Sequence, residues 1–242
     1  MRAREQAIFA QLAGFANELI GLIYPSKCLI CDETQTSPLT HLLCENCLAK
    51  IAAQPLPDAE LIAEKRGGIV GSHLDEIYAG WFYDASMQLI IHAFKYRRRP
   101  SLSRVLGNML AQRLQNDLTP KISQATLVPV PLHRRRGRHR GFNQSILLAQ
   151  AVAQAWNMAV LPRGLERTRF TKPQAKLDAA ARLENVKDAF AFSSKSSLQG
   201  LTVLLVDDVF TTGATMNACA AVLKSAGAAR VIGLALAKAG HS

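Results

Sequence analysis

The stretch "VLLVDDVFTTGAT", residues 203–215, decides the fold of this 242-residue chain. Its apolar run predicts a buried strand, Asp207 and Asp208 follow, and a Thr/Gly turn leads into a helical pattern that starts near Thr212. Ligands of open α/β sheets bind beyond the carboxyl ends of the strands, so we expect both carboxylates at the rim of a binding site. The turn presents backbone N–H groups and hydroxyls at a helix N-terminus, where a phosphate monoester can bind.

The acidic pair and the turn together indicate a ribose 5-phosphate site. Two adjacent carboxylates can accept hydrogen bonds from a ribose diol, while the turn beside them holds the phosphate. A P-loop would need the pattern G-x-x-x-x-G-K-[ST], which the chain lacks. The alternative is a strand, turn and helix without a ligand, in which an aspartate caps the helix.

The sequence around this stretch alternates apolar strands with helices. The predicted strands are residues 76–84, 125–131, 158–162, 201–209 and 230–239, and the predicted helices are 85–94, 101–115, 143–156, 176–190 (at least in part) and 212–228. Continuous apolar strands between helices predict an α/β fold with a mostly parallel sheet that helices cover on both faces.

Four of the five cysteines form two C-x-x-C pairs, Cys28 with Cys31 and Cys44 with Cys47, with twelve residues between the pairs. Two such pairs supply four thiolates to one tetrahedral Zn²⁺, and a site closed by four protein ligands is structural. A redox pair or a set of disulfides is the alternative. Residues 25–53 are too few to bury a core of their own, so the metal would take its place.

We expect three segments along the chain. Residues 1–55 hold an N-terminal amphipathic helix and the zinc-binding module. Residues 56–68 form a linker that is rich in Pro, Ala and charged residues and ends at two glycines. Residues 69–242 form the α/β domain.

The N-terminal apolar stretch is too polar and too short to cross a membrane, since Gln11, Asn17 and Glu18 lie between the apolar residues of its amphipathic helix. A signal peptide is the alternative, because Arg2 and Arg4 precede the stretch, but Glu5 lies in the same basic segment. We therefore expect no transmembrane segment and a cytoplasmic location, either free or peripheral to the inner face of the membrane.

The net charge of +11 is concentrated in one third of the chain. Residues 85–165 contain 13 Lys/Arg and one acid, which indicates an anionic partner. Within "KYRRRP" (95–100) an aromatic residue stands among cations, a composition that suits single-stranded DNA; phosphate-site contacts and a solvated basic face are the alternatives. The candidate nucleic-acid residues are Lys95, Tyr96, Arg97, Arg98, Arg99, Arg135, Arg136, Arg138 and Arg140.

Several motifs resemble those of known families. Residues 203–215 resemble the phosphoribosyl-pyrophosphate (PRPP) signature of type I phosphoribosyltransferases, although Phe210 replaces the usual aliphatic residue. "VPVP" (128–131) resembles the pyrophosphate loop of amidophosphoribosyltransferases, and "RTRFTKPQ" (167–174) resembles their flexible loop. With the cysteine module, "FKYRRRP" and "RGFNQ", the whole chain resembles the ComF family (competence protein F, GntX-like).

This resemblance implies a type I phosphoribosyltransferase sheet and a site for PRPP with Mg²⁺. Asp207 and Asp208 would hold the ribose hydroxyls, and one of them would take a proton from an acceptor. The other implied contacts are Thr211, Thr212, Gly213, Ala214 and Thr215 for the 5-phosphate, Leu132, His133 and Arg134 for pyrophosphate, and Arg169, Thr171 and Lys172 from the flexible loop.

The resemblance also implies a role in DNA uptake during natural transformation. Such a protein would bind single-stranded DNA on the cytoplasmic side, beside a helicase partner. The alternative is a soluble, Mg²⁺-dependent phosphoribosyltransferase of nucleotide metabolism, a pentosyl transferase whose acceptor the motifs do not identify. A third reading is a PRPP sensor without turnover.

Overall fold

The computed structural model describes residues 26–35, 43–57, 73–96, 100–122, 124–133, 137, 141–169, 185–193 and 196–239. The chain divides into two units, Met1–Gln54 and Pro55–Ser242.

The described part of the small unit contains a hairpin of two short strands and a helix. Strands β1 (Ser26–Lys27) and β2 (Thr34–Gln35) pair antiparallel, and helix α1 spans Glu45–Ala52. The N-cap of α1 is Cys44, whose side chain accepts a hydrogen bond from the Cys47 backbone N–H. The first C-x-x-C pair therefore lies in the turn between the strands, and the second pair opens the helix.

The large unit is built on five strands, β3 (Glu76–Phe82), β4 (Ala125–Pro129), β5 (Ala159–Val160), β8 (Thr202–Phe210) and β9 (Arg230–Lys238). They form one sheet in the order β3-β9-β8-β4-β5, in which all neighbours are parallel. Its helices are α2 (Ala85–Tyr96), α3 (Leu102–Leu118), α4 (Gln144–Trp156) and α5 (Ala214–Ser225). This sheet confirms the predicted α/β fold class.

The helix predicted over at least part of residues 176–190 does not extend to Phe190. Phe190 begins strand β7 (Phe190–Phe192), which pairs antiparallel with β6 (Leu165–Arg167). The two phenylalanines favour a strand, and pairing with a partner strand outweighs the helical spacing that precedes them. Residues 176–184 lie outside the described part of the chain.

The carboxyl ends of β4 and β8 position the predicted site. The two strands are neighbours, with Pro129 opposite Val206. The Val130 N–H donates to the Val206 carbonyl at 2.8 Å, which extends the pairing beyond β4. Because parallel strands end at the same edge of a sheet, the chain that leaves β4 and the turn that leaves β8 lie side by side.

Candidate functional site

The acidic pair lies inside β8 rather than after it, because the strand continues to Phe210. Asp208 is buried, with 4% of its surface exposed, and Asp207 is half-buried. Buried carboxylates are costly unless they are hydrogen-bonded or paired, so the partners of each one matter.

Asp207 is held by two hydrogen bonds to the same oxygen. The Ser145 hydroxyl, at the start of α4, donates to Asp207 Oδ1 at 2.9 Å, and the Asp208 N–H donates to that oxygen at 2.9 Å. Burial raises the pKa of Asp207 to about 7, and the Asp208 carboxylate adds to the increase. Lys95 and the two hydrogen bonds lower the pKa and only partly offset this effect. A carboxyl group with this pKa can exchange a proton near neutral pH.

Asp208 pairs with a lysine from another helix. Lys95, in the last turn of α2, places Nζ 2.8 Å from Asp208 Oδ2. Only 20% of the Lys95 side chain and 6% of the Asp208 side chain are exposed. The structure thus brings Lys95, predicted as a nucleic-acid contact, to the acidic pair.

The turn after β8 carries a buried hydroxyl. Thr212 Oγ1 is inaccessible to solvent, and no described residue forms a hydrogen bond with it. Gly213 follows with φ of +75°, a left-handed conformation that favours glycine, and caps α5 at Ala214. A buried hydroxyl without a partner costs free energy, which a bound phosphate oxygen would recover.

The residues after β4 approach the same edge of the sheet. Leu132 and His133 are half-buried there. The Asn143 side chain donates to the Val130 carbonyl at 3.1 Å and accepts from the Ser145 N–H at 3.0 Å. Asn143 therefore ties the start of α4 to the end of β4 and fixes the backbone of Ser145.

Of the predicted flexible-loop residues, Arg169 lies within the described part of the chain. The guanidinium of Arg169 donates to the backbone carbonyls of Asn185 and Lys187. Arg169 thus joins the chain after β6 to the chain before β7. Thr171, Lys172 and the pyrophosphate candidate Arg134 lie outside the described residues.

In the small unit, the four sulfur atoms of Cys28, Cys31, Cys44 and Cys47 all lie within 4.8 Å of one another. None of them is in a disulfide, and the Cys31 and Cys44 sulfurs are 3.7 Å apart. The Cys44 N–H points at the Cys28 sulfur and the Cys47 N–H at the Cys44 sulfur, both at 3.4 Å. Backbone N–H donors of this kind stabilise thiolates.

The four thiols need a cation before all can ionise. Burial opposes ionisation of Cys28, but N–H groups of Cys31, Cys44 and Ile30 outweigh it and lower the pKa of Cys28 to about 6. Burial and the neighbouring sulfurs raise the pKa of Cys47 to about 12. A divalent cation at the centre would remove this repulsion, so the cluster fits a closed metal site.

Comparisons with known proteins identify the family of this chain. The family model for the phosphoribosyl transferase domain matches residues 143–242, which include α4, β8 and the turn. Competence protein F of Haemophilus influenzae is 31% identical over 161 residues, which cover 65% of this chain and 70% of that protein. The chain belongs to the competence protein F family. This confirms the family resemblance carried by the motifs.

Two further proteins are similar to this member of the competence protein F family. DNA utilization protein YhgH of Salmonella typhimurium is 37% identical over 154 residues, 62% of this chain and 66% of that protein. Competence protein ComFC of Bacillus subtilis is 24% identical over 202 residues, 84% of this chain and 73% of that protein. The matched region thus spans about two thirds of the YhgH protein.

The basic clusters of this family member lie mostly outside the described residues, which exclude Arg97, Arg98, Arg99, Arg135, Arg136, Arg138 and Arg140. Tyr96, at the end of α2, is described, and 59% of its surface is exposed. Its ring lies 4.9 Å from that of exposed His92, one turn earlier, with the planes tilted by 41°. No described helix has the length and apolar character needed to cross a membrane.

Sequence reasoning missed the contacts of three residues that organise the site. Ser145 bonds to Asp207 across 62 positions of the chain, and Lys95 was not assigned to Asp208. Asn143, which ties α4 to β4, could have been found, because an asparagine before an apolar helical repeat predicts an N-cap. No local pattern signals the bonds of Ser145 and Lys95 to the acidic pair.

Proposed function

We propose that this chain binds PRPP with Mg²⁺ at the carboxyl end of β8 and acts in DNA uptake as a ComF-type protein. The observation that carries the proposal is the buried, partnerless hydroxyl of Thr212, which directly follows two carboxylates on the same strand. A phosphate cradle beside a pair of diol acceptors fits a ribose 5-phosphate group. The names of the relatives, competence protein F and DNA utilization protein, support the role in DNA uptake.

In the proposed complex, different groups of residues bind different parts of PRPP. Asp207 and Asp208 hold the ribose hydroxyls, and the backbone and hydroxyls of residues 211–215 hold the 5-phosphate. Leu132, His133 and Arg134 would bind pyrophosphate, and Arg169, Thr171 and Lys172 would contact PRPP from the flexible loop. Carboxylate oxygens are ligands that Mg²⁺ accepts, so the acidic pair is compatible with a metal-bound ligand. When bound with PRPP, Mg²⁺ neutralises charge on the pyrophosphate.

Transfer from PRPP is a second candidate function, and the protonation of Asp207 favours it. The pKa of about 7 lets this carboxyl group accept a proton from an incoming nucleophile at neutral pH. Departure of pyrophosphate develops positive charge at C1, and a nearby carboxylate stabilises that charge. Pyrophosphate release in a screen of bases, amines and glutamine tests this activity. A PRPP sensor without turnover would bind PRPP and release no pyrophosphate.

The test of PRPP binding is thermal stabilisation by Mg²⁺–PRPP. A ligand at 100 times its Kd stabilises the folded state by about 2.7 kcal/mol. Replacing Asp207 and Asp208 together with Asn should abolish the shift, because neutral amides lose the charge-assisted hydrogen bonds to the diol. Asp117→Asn is the matched control, since Asp117 is an exposed acid at the end of α3. Full stabilisation of the double variant would refute the site.

We also propose that the four cysteines bind one structural Zn²⁺ and that single-stranded DNA binds at the end of α2. The tilted His92 and Tyr96 rings offer stacking surface for bases. Arg97, Arg98 and Arg99 follow at once and would contact phosphates. In this role the protein works on the cytoplasmic side, beside a helicase of the uptake machinery. Co-purification with that helicase tests the partner.

A further inference from the structure

The ion pair between Lys95 and Asp208 has no place in the roles proposed so far. Asp208 is there to accept hydrogen bonds from a ribose hydroxyl, yet a lysine Nζ lies 2.8 Å from its Oδ2. The residue before Lys95 fixes its backbone, because Phe94 is fully buried and its ring lies 6.0 Å from that of Phe142. Lys95 is therefore built into the site.

The charges explain what a lysine achieves at this point. Two adjacent carboxylates would repel a sugar phosphate and attract any free divalent cation. A lysine against Asp208 cancels one of the two negative charges, and the low exposure of both side chains weakens solvent screening. Because Asp207 is itself partly protonated at neutral pH, the pair then presents at most one negative charge to an approaching ligand.

We propose that Lys95 is a specificity-determining residue of the PRPP site, an internal counter-ion that makes the acidic pair select an anionic sugar phosphate over a free divalent cation. This inference rests on the proposed PRPP site and assigns it one more residue. Lys95 acts by neutralising Asp208, and its amino group can donate to a ligand oxygen when Asp208 turns to the ribose.

Two affinities measured on the full chain test the proposal. One is for ribose 5-phosphate without added divalent cation, by calorimetry. The other is for Mn²⁺ without a sugar phosphate, by electron paramagnetic resonance. Lys95→Met keeps most of the side-chain length and removes the charge. It should weaken ribose 5-phosphate binding about tenfold or more, because a charge-assisted contact is lost, and it should tighten Mn²⁺ binding severalfold.

Two further variants exclude a merely structural effect. Lys95→Arg keeps the charge and should retain both wild-type affinities to within about threefold. Lys121→Met removes another partly buried ion pair of the same unit, 2.7 Å to Glu76 at the amino end of β3, and should change neither affinity. Circular dichroism verifies that each variant is folded, and Lys95→Gln serves if the methionine variant is not.

The outcomes distinguish the counter-ion role of Lys95 from the proposed PRPP site on which it rests. Opposite changes of the two affinities in Lys95→Met support the counter-ion role. Wild-type ribose 5-phosphate affinity in Lys95→Met, or an equal loss of both affinities, overturns that role and leaves the PRPP site standing. A wild-type protein that binds no sugar phosphate, with or without Mg²⁺, overturns both.

Discussion

At the scale of single residues, the ionised form of Asp207 is energetically unfavourable in the folded protein. Asp207 is half-buried next to a second carboxylate, and its pKa of about 7 measures how poorly the folded protein tolerates its ionised form. Residues that are unfavourable for stability and useful for chemistry concentrate in binding sites. The unfolded chain has no such penalty, since a free aspartate ionises near pH 4.

The stability of the protein should therefore depend on pH through Asp207. Between about pH 4 and pH 7 the folded state retains a proton that the unfolded state has lost, so stability falls as the pH rises through this window. Asp207→Asn removes the penalty and should raise the free energy of unfolding at pH 8 by on the order of 2 kcal/mol. At pH 4 the difference should vanish. Urea unfolding at both pH values measures it, and a variant less stable at pH 8 would contradict the assigned pKa.

Sequence reasoning located the acidic pair and the turn at the end of a strand but did not identify their partners. The carboxylates of β8 and the turn were predictable, because an apolar strand that runs into acids and then into a Thr/Gly turn is a local pattern. The Ser145 hydroxyl and the Lys95 ammonium reach them from distant helices. Such contacts depend on how helices pack on the sheet, which no short stretch encodes.

At the scale of elements, the turn between β8 and α5 depends on Gly213. Its φ of +75° is strained for any residue with a side chain, and Gly200 has nearly the same angle, +74°. A Cβ at Gly200 would meet no atom within 4 Å, so Gly200→Ala introduces backbone strain alone. The two glycines form a matched pair, one inside the proposed site and one outside it.

Gly213→Ala and Gly200→Ala should each cost roughly 1–2 kcal/mol of folding stability, the penalty of a left-handed conformation. Only Gly213→Ala should also lose the stabilisation by Mg²⁺–PRPP, because relief of the strain moves the N–H groups that hold the 5-phosphate. Thermal unfolding with and without ligand separates the two effects. Equal ligand shifts in both variants would show that the turn does not bind phosphate.

The elements with the longest apolar runs were the easiest to predict. Strands β3, β4, β8 and β9 match the sequence-based strands closely, since each contains a continuous run of apolar residues. The β6–β7 pair was missed because each strand has three residues, too few for a period-two pattern. The pair forms only when these two segments, which are distant in the sequence, come together.

At the scale of the whole molecule, two units fold on different principles. The large unit buries an extensive apolar core, whereas the small one has few buried apolar side chains among its described residues, such as Leu43 and Ile51. We predict that a metal bound by the four cysteines stabilises this unit. Its four cysteines and the sheet of the large unit should therefore respond differently to metal removal.

Chelation of Zn²⁺ should unfold the small unit and leave the large one folded. Cys31→Ser should reduce the zinc content well below one ion per chain, because it removes one of four ligands. Cys219→Ala, a change of the buried cysteine in α5, should retain one ion per chain. Elemental analysis gives the metal content, and limited proteolysis reports which unit opens. Cleavage confined to residues beyond Gln54 after chelation would contradict the prediction.

The proposed DNA surface combines charge with stacking, and the two contributions have separable signatures. Phosphate contacts release counterions, so the affinity for single-stranded DNA falls with salt at a slope of about 0.7 per contact. Stacking on an aromatic ring depends little on salt and contributes about 1–3 kcal/mol per base. Tyr96 provides the ring, and the arginines that follow it would provide the charge.

Replacing Arg97, Arg98 and Arg99 together with Ala should flatten the slope of log affinity against log salt by up to about 2, the loss of three contacts. Tyr96→Ala should leave the slope unchanged and weaken binding about tenfold at every salt concentration, whereas Tyr96→Phe should retain the affinity. Arg104→Ala, an exposed cation of α3, is the control for net charge and should barely change the slope.

Fluorescence anisotropy with a labelled oligonucleotide between 50 and 300 mM salt, roughly the range over which such slopes are resolved, measures all four variants. An unchanged slope in the triple variant would move the DNA away from the end of α2, and parallel losses in Tyr96→Ala and Tyr96→Phe would exclude stacking.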